Sequence, residues 1–240
     1  MQNSNIKIMI KKGKLLSTFF LVLLLPNMRL TLARSLEPSE KLESEAIKQV
    51  VITELMSNSG DGKFAPERMI NRAELAAILV KTFNLENREA VKEQKSKTVA
   101  DVPLSHWAFN HIQAVLKTDI MKGYRGNLFF PNQKVTRAEA LAIFAQAHGV
   151  FQFSDDTINE ILDPHPDAGS IPGWARKAIA TVLAEGFVNT DPQNNISPLR
   201  PMTHGDMAYV LSKYLQRQQP QPEMPLVTGH TPPPDQANDQ

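Results

Sequence analysis

Leu128-Phe129-Phe130-Pro131, followed by Val135-Thr136-Arg137-Ala138-Glu139, is the most telling stretch of this chain, because both pieces recur. A displacement of 67 residues carries Trp107 onto Trp174, Ile112 onto Ile179, Leu116 onto Leu183, Pro131 onto Pro198 and Thr136 onto Thr203. A displacement of 65 in the other direction carries Ile112 onto Ile47, Phe129 onto Phe64, Pro131 onto Pro66 and Arg137-Ala138-Glu139 onto Arg72-Ala73-Glu74. A register held over a whole unit marks tandem repeats, which build a stacked binding surface more often than a single catalytic cleft. The units are a degenerate first repeat at 40–84, a second at 99–148 and a third at 163–215.

Each unit reads as helix, turn-rich loop, helix. In the second, Trp107, Ile112, Val115 and Leu116 recur at helical spacing and predict a helix over 107–118. Gly123-Tyr124-Arg125-Gly126-Asn127 breaks it, a short extended piece follows, and a second helix starts at Thr136. The second helices share an apolar stripe: Leu75, Ile78, Leu79, Phe83; then Ala140, Ile143, Phe144, His148; then Met207, Val210, Leu211, Leu215. Positions i, i+3, i+4 and i+8 lie on one helical face, so three such faces can close around a pseudo-threefold axis. The expected fold is all-α.

The flanks are of another kind. Residues 1–33 combine Lys7, Lys11, Lys12 and Lys14 with an apolar run over 15–25 and Thr31-Leu32-Ala33, the order of a secretory signal peptide. That run is too short to span a bilayer, so an exported product without a membrane anchor is expected, in the wall, the periplasm or on the cell surface. Of the 26 Lys and Arg, 21 remain beyond residue 33 against 25 acids, a net charge near −4. No basic bias points to nucleic acid. With no Cys, packing alone must hold the fold. Residues 85–98 read as a solvated polar connector and 149–162 as a more apolar one that packs, while 216–240, with six prolines, reads as an extended tail. No cargo domain is legible.

Thr136 and Glu139 have the spacing of a capping box, repeated by Asn71 and Glu74 and, more weakly, by Thr203 and Asp206. Capping does not explain Arg137 and Arg72, since a cation in the first turn opposes the helix dipole by roughly 0.3–1 kcal/mol. Two explanations stand: an anion site built from the arginine and helix amides, or an ion pair or solvated arginine within the fold. His204 fills the position poorly as a cation above an ordinary pKa of about 6.5. Trp107 and Trp174 follow the acidic turns of Asp101 and Asp167. They suit either core anchors, the commoner role of Trp, or apolar platforms for sugar rings, and the aspartates suit a brace for nearby amides.

The second repeat resembles the S-layer homology family, whose pattern runs close to F-x-D-V-x-x-x-H-W-A, G-Y-x-x-G-x-F-x-P and V-T-R-A-E. Here it reads Val99-Ala100-Asp101-Val102-Pro103-Leu104-Ser105-His106-Trp107-Ala108, then Gly123 to Pro131 as quoted, then Val135 to Glu139. The third repeat keeps Asp167, Trp174 and Thr203, with His204 for the arginine; the first lacks the Asp and Trp, Leu42 falling on the Trp position. The resemblance implies a three-pronged helical domain that holds exported proteins to the cell wall through peptidoglycan-linked polysaccharide, often pyruvylated, in grooves between repeats. It implies ligand roles for Arg137 and Arg72, then Asp101 and Trp107, then Asp167 and Trp174, with one or two competent grooves. Arg137→Ala is then expected to weaken binding without unfolding the domain.

Other classes fit less well. The six His are scattered, and H-E-x-x-H, G-x-S-x-G and a Cys nucleophile are all missing, so no catalytic residue, cofactor or metal site is expected. Asn58-Ser59-Gly60-Asp61-Gly62 lacks the alternating acids of a calcium loop and reads as a glycine turn. The main alternative is an envelope adaptor that binds a protein partner through the repeats and the proline-rich tail.

Overall fold

The computed structural model describes residues 38–57 and 63–219. The expected signal segment, the 58–62 turn and the tail from 220 onward lie outside them. Eight α-helices follow in order: α1 (Pro38–Ile52), α2 (Arg72–Phe83), α3 (Glu89–Glu93), α4 (Phe109–Lys117), α5 (Arg137–His148), α6 (Asp155–Leu162), α7 (Arg176–Ala184) and α8 (His204–Gln218). No β-strand occurs among the described residues, and the fold is all-α.

The helices that pack in pairs come from different repeats. α2 lies on α4, α5 on α7, and α8 on α1. Each prong thus joins the second helix of one repeat to the first helix of the next, and the last helix closes on the first. A helix–loop–helix unit of this length buries little by itself; exchanging helices with both neighbours gives each apolar stripe a partner.

Three short segments meet where the second helices begin. The Ile70 N–H donates to Met202 O at 2.9 Å, the Met202 N–H to Val135 O at 2.9 Å, and the Val135 N–H to Ile70 O at 3.2 Å. These bonds form a closed ring, one from each repeat, and Ile70, Val135 and Met202 are all buried. Beyond the ring each second helix is capped alike. Asn71, Thr136 and Thr203 accept from the amides of Glu74, Glu139 and Asp206, whose carboxylates accept in return from the cap amides. The third box, weak by sequence, is complete.

At the far ends the stripes converge on aromatic rings. Phe83 lies 5.2 Å from both Phe144 and Tyr214, and Phe144 packs edge-on against Phe187 and Tyr214. His148, at the end of its stripe, packs edge-on against the same Phe187 and Tyr214.

Several boundaries differ from expectation. α4 begins at Phe109, because Pro103 starts a pair of turns (His106 N–H to Pro103 O, Phe109 N–H to His106 O) that leaves Trp107 ahead of the helix. α8 continues to Gln218, past the expected start of the tail, with Arg217 3.2 Å from Glu185. The polar connector is mostly exposed but pinned by the buried Leu85, and the 149–162 segment carries α6, capped by Ser154.

Truncating the axial ring, Phe144→Ala, should lower the unfolding free energy by about 3–5 kcal/mol. Loss of one cap, Thr136→Ala, should cost about 1 kcal/mol. Urea unfolding of the two variants beside the parent chain measures both.

Candidate functional site

The amides at the start of each second helix are already occupied. Arg72 and Ala73 N–H donate to Gln133 O and Pro131 O of the next repeat, Arg137 and Ala138 N–H to Arg200 O and Pro198 O, and His204 and Gly205 N–H to Arg68 O and Pro66 O. All six bonds are 2.8–3.0 Å long. The anion site expected at the start of the Thr136 helix is therefore closed by backbone: the neighbouring loop supplies the negative ends that the helix dipole favours.

The arginines follow the same path. Arg137 is 1% exposed, and its Nε donates to Ile196 O at 2.7 Å while its terminal nitrogens reach Asn189 O at 2.7 Å and Asn189 Oδ1 at 3.0 Å. It also lies 2.9 Å from the Asp206 carboxylate. Arg72, 6% exposed, donates to Phe129 O and Lys122 O, both at 2.8 Å, with its guanidinium 4.6 Å from the Phe129 ring and 4.8 Å from the Tyr124 ring. Burial pushes both guanidinium pKa values down, opposed for Arg137 chiefly by Asp206 and for Arg72 by Tyr124, Glu139 and Asp101. Both side chains are committed within the fold, the second of the two explanations the sequence left open.

The aspartates hold the other side of the same loops. Asp101 accepts from Phe129 and Phe130 N–H at 2.8 and 2.7 Å, and Asp167 from Ile196 and Ser197 N–H at 2.9 and 2.7 Å. Phe129 and Ile196 are thus each gripped twice, the N–H by an aspartate of their own repeat and the C=O by an arginine of the repeat before. Phe130 and Ser197 stand in the left-handed region at φ 56° and 55°, rare for a bulky residue, and the paired acceptors keep them there. The structure so brings Arg72 to Asp101 and Arg137 to Asp167.

The tryptophans stay apart from these clusters. Trp107 is 62% exposed and stacks on His106; Trp174 is 65% exposed. Neither is a core anchor. The core role at this turn falls to the next residue, Ala108 or Ala175, each fully buried. A shallow cavity of about 300 Å³ lies along Asp101, Phe130, Pro131, Asn132 and Gln133.

Two residues escaped the sequence reading. Asn189 bridges Arg137 and Asp206, donating from Nδ2 to Asp206 Oδ1 at 3.0 Å. Arg200 clamps Asp206 with two bonds of 2.9 Å, and Arg68 pairs with Glu74 in the same way of facing. The signal for Arg200 was present: Arg68, Gln133 and Arg200 fall on one repeat position, each six residues before the capping acid.

The third junction is the odd one. His204 is 5% exposed, its Nε2 makes no hydrogen bond, and the nearest charge is Glu74 Oε1 at 3.8 Å. Its ring tilts against Phe64 at 5.8 Å. An imidazole is too short to repeat the reach of Arg72 and Arg137 into the neighbouring loop.

Three helical repeats joined by a closed hydrogen-bond ring define the class: a cyclic, three-pronged repeat domain. The chain belongs to the S-layer homology domain family, whose model matches residues 38–76, 100–141 and 166–208, just over half of the chain. It is 27% identical over 175 residues to the surface-layer 125 kDa protein of Lysinibacillus sphaericus (72% of this chain, 14% of that protein). It is 29% identical over 160 residues to the cellulosome-anchoring protein of Acetivibrio thermocellus (65% and 34%), and 26% identical over 174 residues to the amylopullulanase of Thermoanaerobacterium thermosulfurigenes (72% and 9%). The chain thus spans between 9% and 34% of these relatives' own length.

Removing Arg137 takes one of two guanidinium groups from the buried Asp206 and leaves Ile196 O and Asn189 O without their donor, so Arg137→Ala should destabilise the fold by about 3–5 kcal/mol, in contrast to the behaviour expected of a ligand arginine. Thermal unfolding followed by circular dichroism checks this.

Acid should act through two carboxylates. Burial alone would raise the Asp206 pKa, but Arg200, Arg137, Asn189 and the Thr203 N–H hold it at about 2. For Glu74, burial is likewise outweighed by His204, the Asn71 N–H and Arg68, again giving about 2. Both lie below the ordinary values of 3.8 and 4.5, so their stabilisation is complete above pH ~4.5 and is lost as pH falls towards ~2. Urea unfolding across pH 2–7 should show stability level above pH ~5 and falling below ~4.5, with a shallower fall in Asp206→Asn.

Proposed function

We propose that this chain is a non-catalytic module that attaches to the bacterial cell wall by binding peptidoglycan-linked polysaccharide. Family membership supports wall attachment, as do relatives whose names describe surface-layer and anchoring proteins. The amylopullulanase matches over 9% of its length, which supports reading the shared part as non-catalytic. The observation that carries the glycan reading is the pair of tryptophans at one repeat position, each more than 60% exposed although nothing in the packing requires it. An indole face set on a rigid turn offers apolar area to the C–H face of a sugar at low entropic cost.

In this reading Trp107 and Trp174 touch the glycan, and Asp101, Asp167, Arg72 and Arg137 are positioning residues that fix the loops beneath it. A pyruvate ketal would find both motif arginines already engaged, so any anionic substituent would be held by exposed groups. No helix among the described residues is long and apolar enough to cross a membrane. The adaptor alternative depends on the tail from 220 onward, outside the described residues.

Purified chain should pellet with sacculi that keep their polysaccharide and stay in solution with chemically stripped sacculi. Trp107→Ala and Trp174→Ala should each weaken pelleting by about threefold to tenfold, at the scale of one aromatic contact, with the melting temperature unchanged. Equal pelleting with both kinds of sacculi would move the ligand to peptidoglycan itself; none with either would remove the function.

A further inference from the structure

A cavity of about 530 Å³ lies at the junction between the third and first repeats. It coincides with the one place where the motif has shrunk throughout. Arg-Ala-Glu of the other two repeats is His204-Gly205-Asp206 here, each residue smaller than its counterparts. Gly205 forms part of the lining, and a Cβ at this position would lie 3.1 Å from Pro66 Cβ and 3.2 Å from Glu43 Oε1. The equivalent Ala73 and Ala138 carry that methyl group. Glycine therefore lets the Glu43 carboxylate and the Pro66 loop close down over the start of α8, shaping the cavity floor.

The chemistry of the lining is one-sided. Glu43 and Glu67 are exposed carboxylates, Asp206 contributes a third, and Asn189 and Thr190 add an amide and a hydroxyl beside the Tyr209 ring. No Lys, Arg or His is among the described residues that line it. Arg137 and Arg200 are both paired with Asp206, and Lys213 lies 5.5 Å from the Tyr209 ring without lining the cavity, so Glu43 and Glu67 are the carboxylates left to face an incoming cation. Such a cleft repels carboxylates and pyruvate ketals and favours a cation with an apolar stem, since field lines concentrate between low-dielectric walls.

We propose that this cavity binds an amine-bearing group of the cell wall, with Glu43 and Glu67 as the charge partners, Tyr209 against the adjoining carbon chain, and Gly205 as the residue that lets Glu43 and the Pro66 loop close over the floor. The proposal rests on the wall-attachment reading and gives one groove of the ring a ligand of opposite charge to an acidic polymer. Free amines occur in a wall on the diamino acid of a peptide stem and on de-N-acetylated amino sugars; both have the chemistry required.

The test is co-sedimentation of the purified chain with three preparations of polysaccharide-bearing sacculi: untreated, N-acetylated with acetic anhydride, and freed of ketals by mild acid. Acetylation should lower the bound fraction about fivefold to tenfold, ketal removal should leave it unchanged, and the Glu43→Gln/Glu67→Gln variant should bind untreated sacculi as weakly as the parent binds acetylated ones. Both glutamates are exposed, so the variant should keep its melting temperature. Sacculi built from a mono-amino stem assign the amine: lost binding points to the peptide, retained binding to the amino sugar. Full binding to acetylated sacculi, or by the double variant, overturns the amine site and leaves wall attachment standing. A parent chain that pellets with no preparation overturns both.

Discussion

The three backbone hydrogen bonds that run from Ile70 to Met202, from Met202 to Val135 and from Val135 back to Ile70 fix everything else in this molecule. They bring the starts of α2, α5 and α8 to one axis, where each helix presents its first amides to the carbonyls of the next loop. Once those amides are taken, the side chain at the first helical position has to follow the same direction. Arg72 and Arg137 accordingly run into the neighbouring repeat and end on its backbone. A cation in the first turn, unfavourable in an isolated helix, is stable here because it meets the carbonyls of the next loop and, for Arg137, the Asp206 carboxylate in the first turn of α8.

A cyclic arrangement has no free end, yet its three junctions are unequal. Arg137 meets Asp206 at 2.9 Å with Asn189 between them, Arg72 relies on carbonyls and aromatic faces, and His204 stands 3.8 Å from Glu74 with a buried nitrogen unbonded. The last junction is also the one that α1 and α8 must close, and it holds the cavity of about 530 Å³. Tight packing at two junctions secures the ring; the third was left free to change residue size, and a cavity with its own charge is the outcome. The contacts that hold the copies together are therefore divided unequally among them.

Much of this was legible in the sequence. The repeat register, the capping boxes at Asn71, Thr136 and Thr203, and the apolar stripes of the second helices all depend on local spacing, and all are where that spacing puts them. The exchange of helices between repeats left no such trace, because pairing α2 with α4 instead of α1 is decided by tertiary packing. The arginines show the limit most clearly. Their acceptors are main-chain carbonyls 50 to 59 residues away, which any amino acid could supply, so local spacing left an anion site and an in-fold arginine both open, while the structure shows each arginine tying one repeat to the next. For Trp107 and Trp174 the sequence left core anchor and exposed platform both open: large aromatic residues are usually buried, and here the turns begun by Pro103 and Pro172 leave them exposed. Arg200 could have been found, since the repeat register already aligned it with Arg68 six residues ahead of a capping acid.

The most direct test of the ring is native-state hydrogen exchange at the amides of Ile70, Val135 and Met202. If the three bonds hold the repeats as one unit, these amides exchange together, with the free energy of global unfolding and with the same denaturant dependence. Exchange of Met202 or Ile70 at a markedly lower free energy than Val135, by an opening that leaves the other amides protected, would show that the third junction is independent of the rest and would contradict the account.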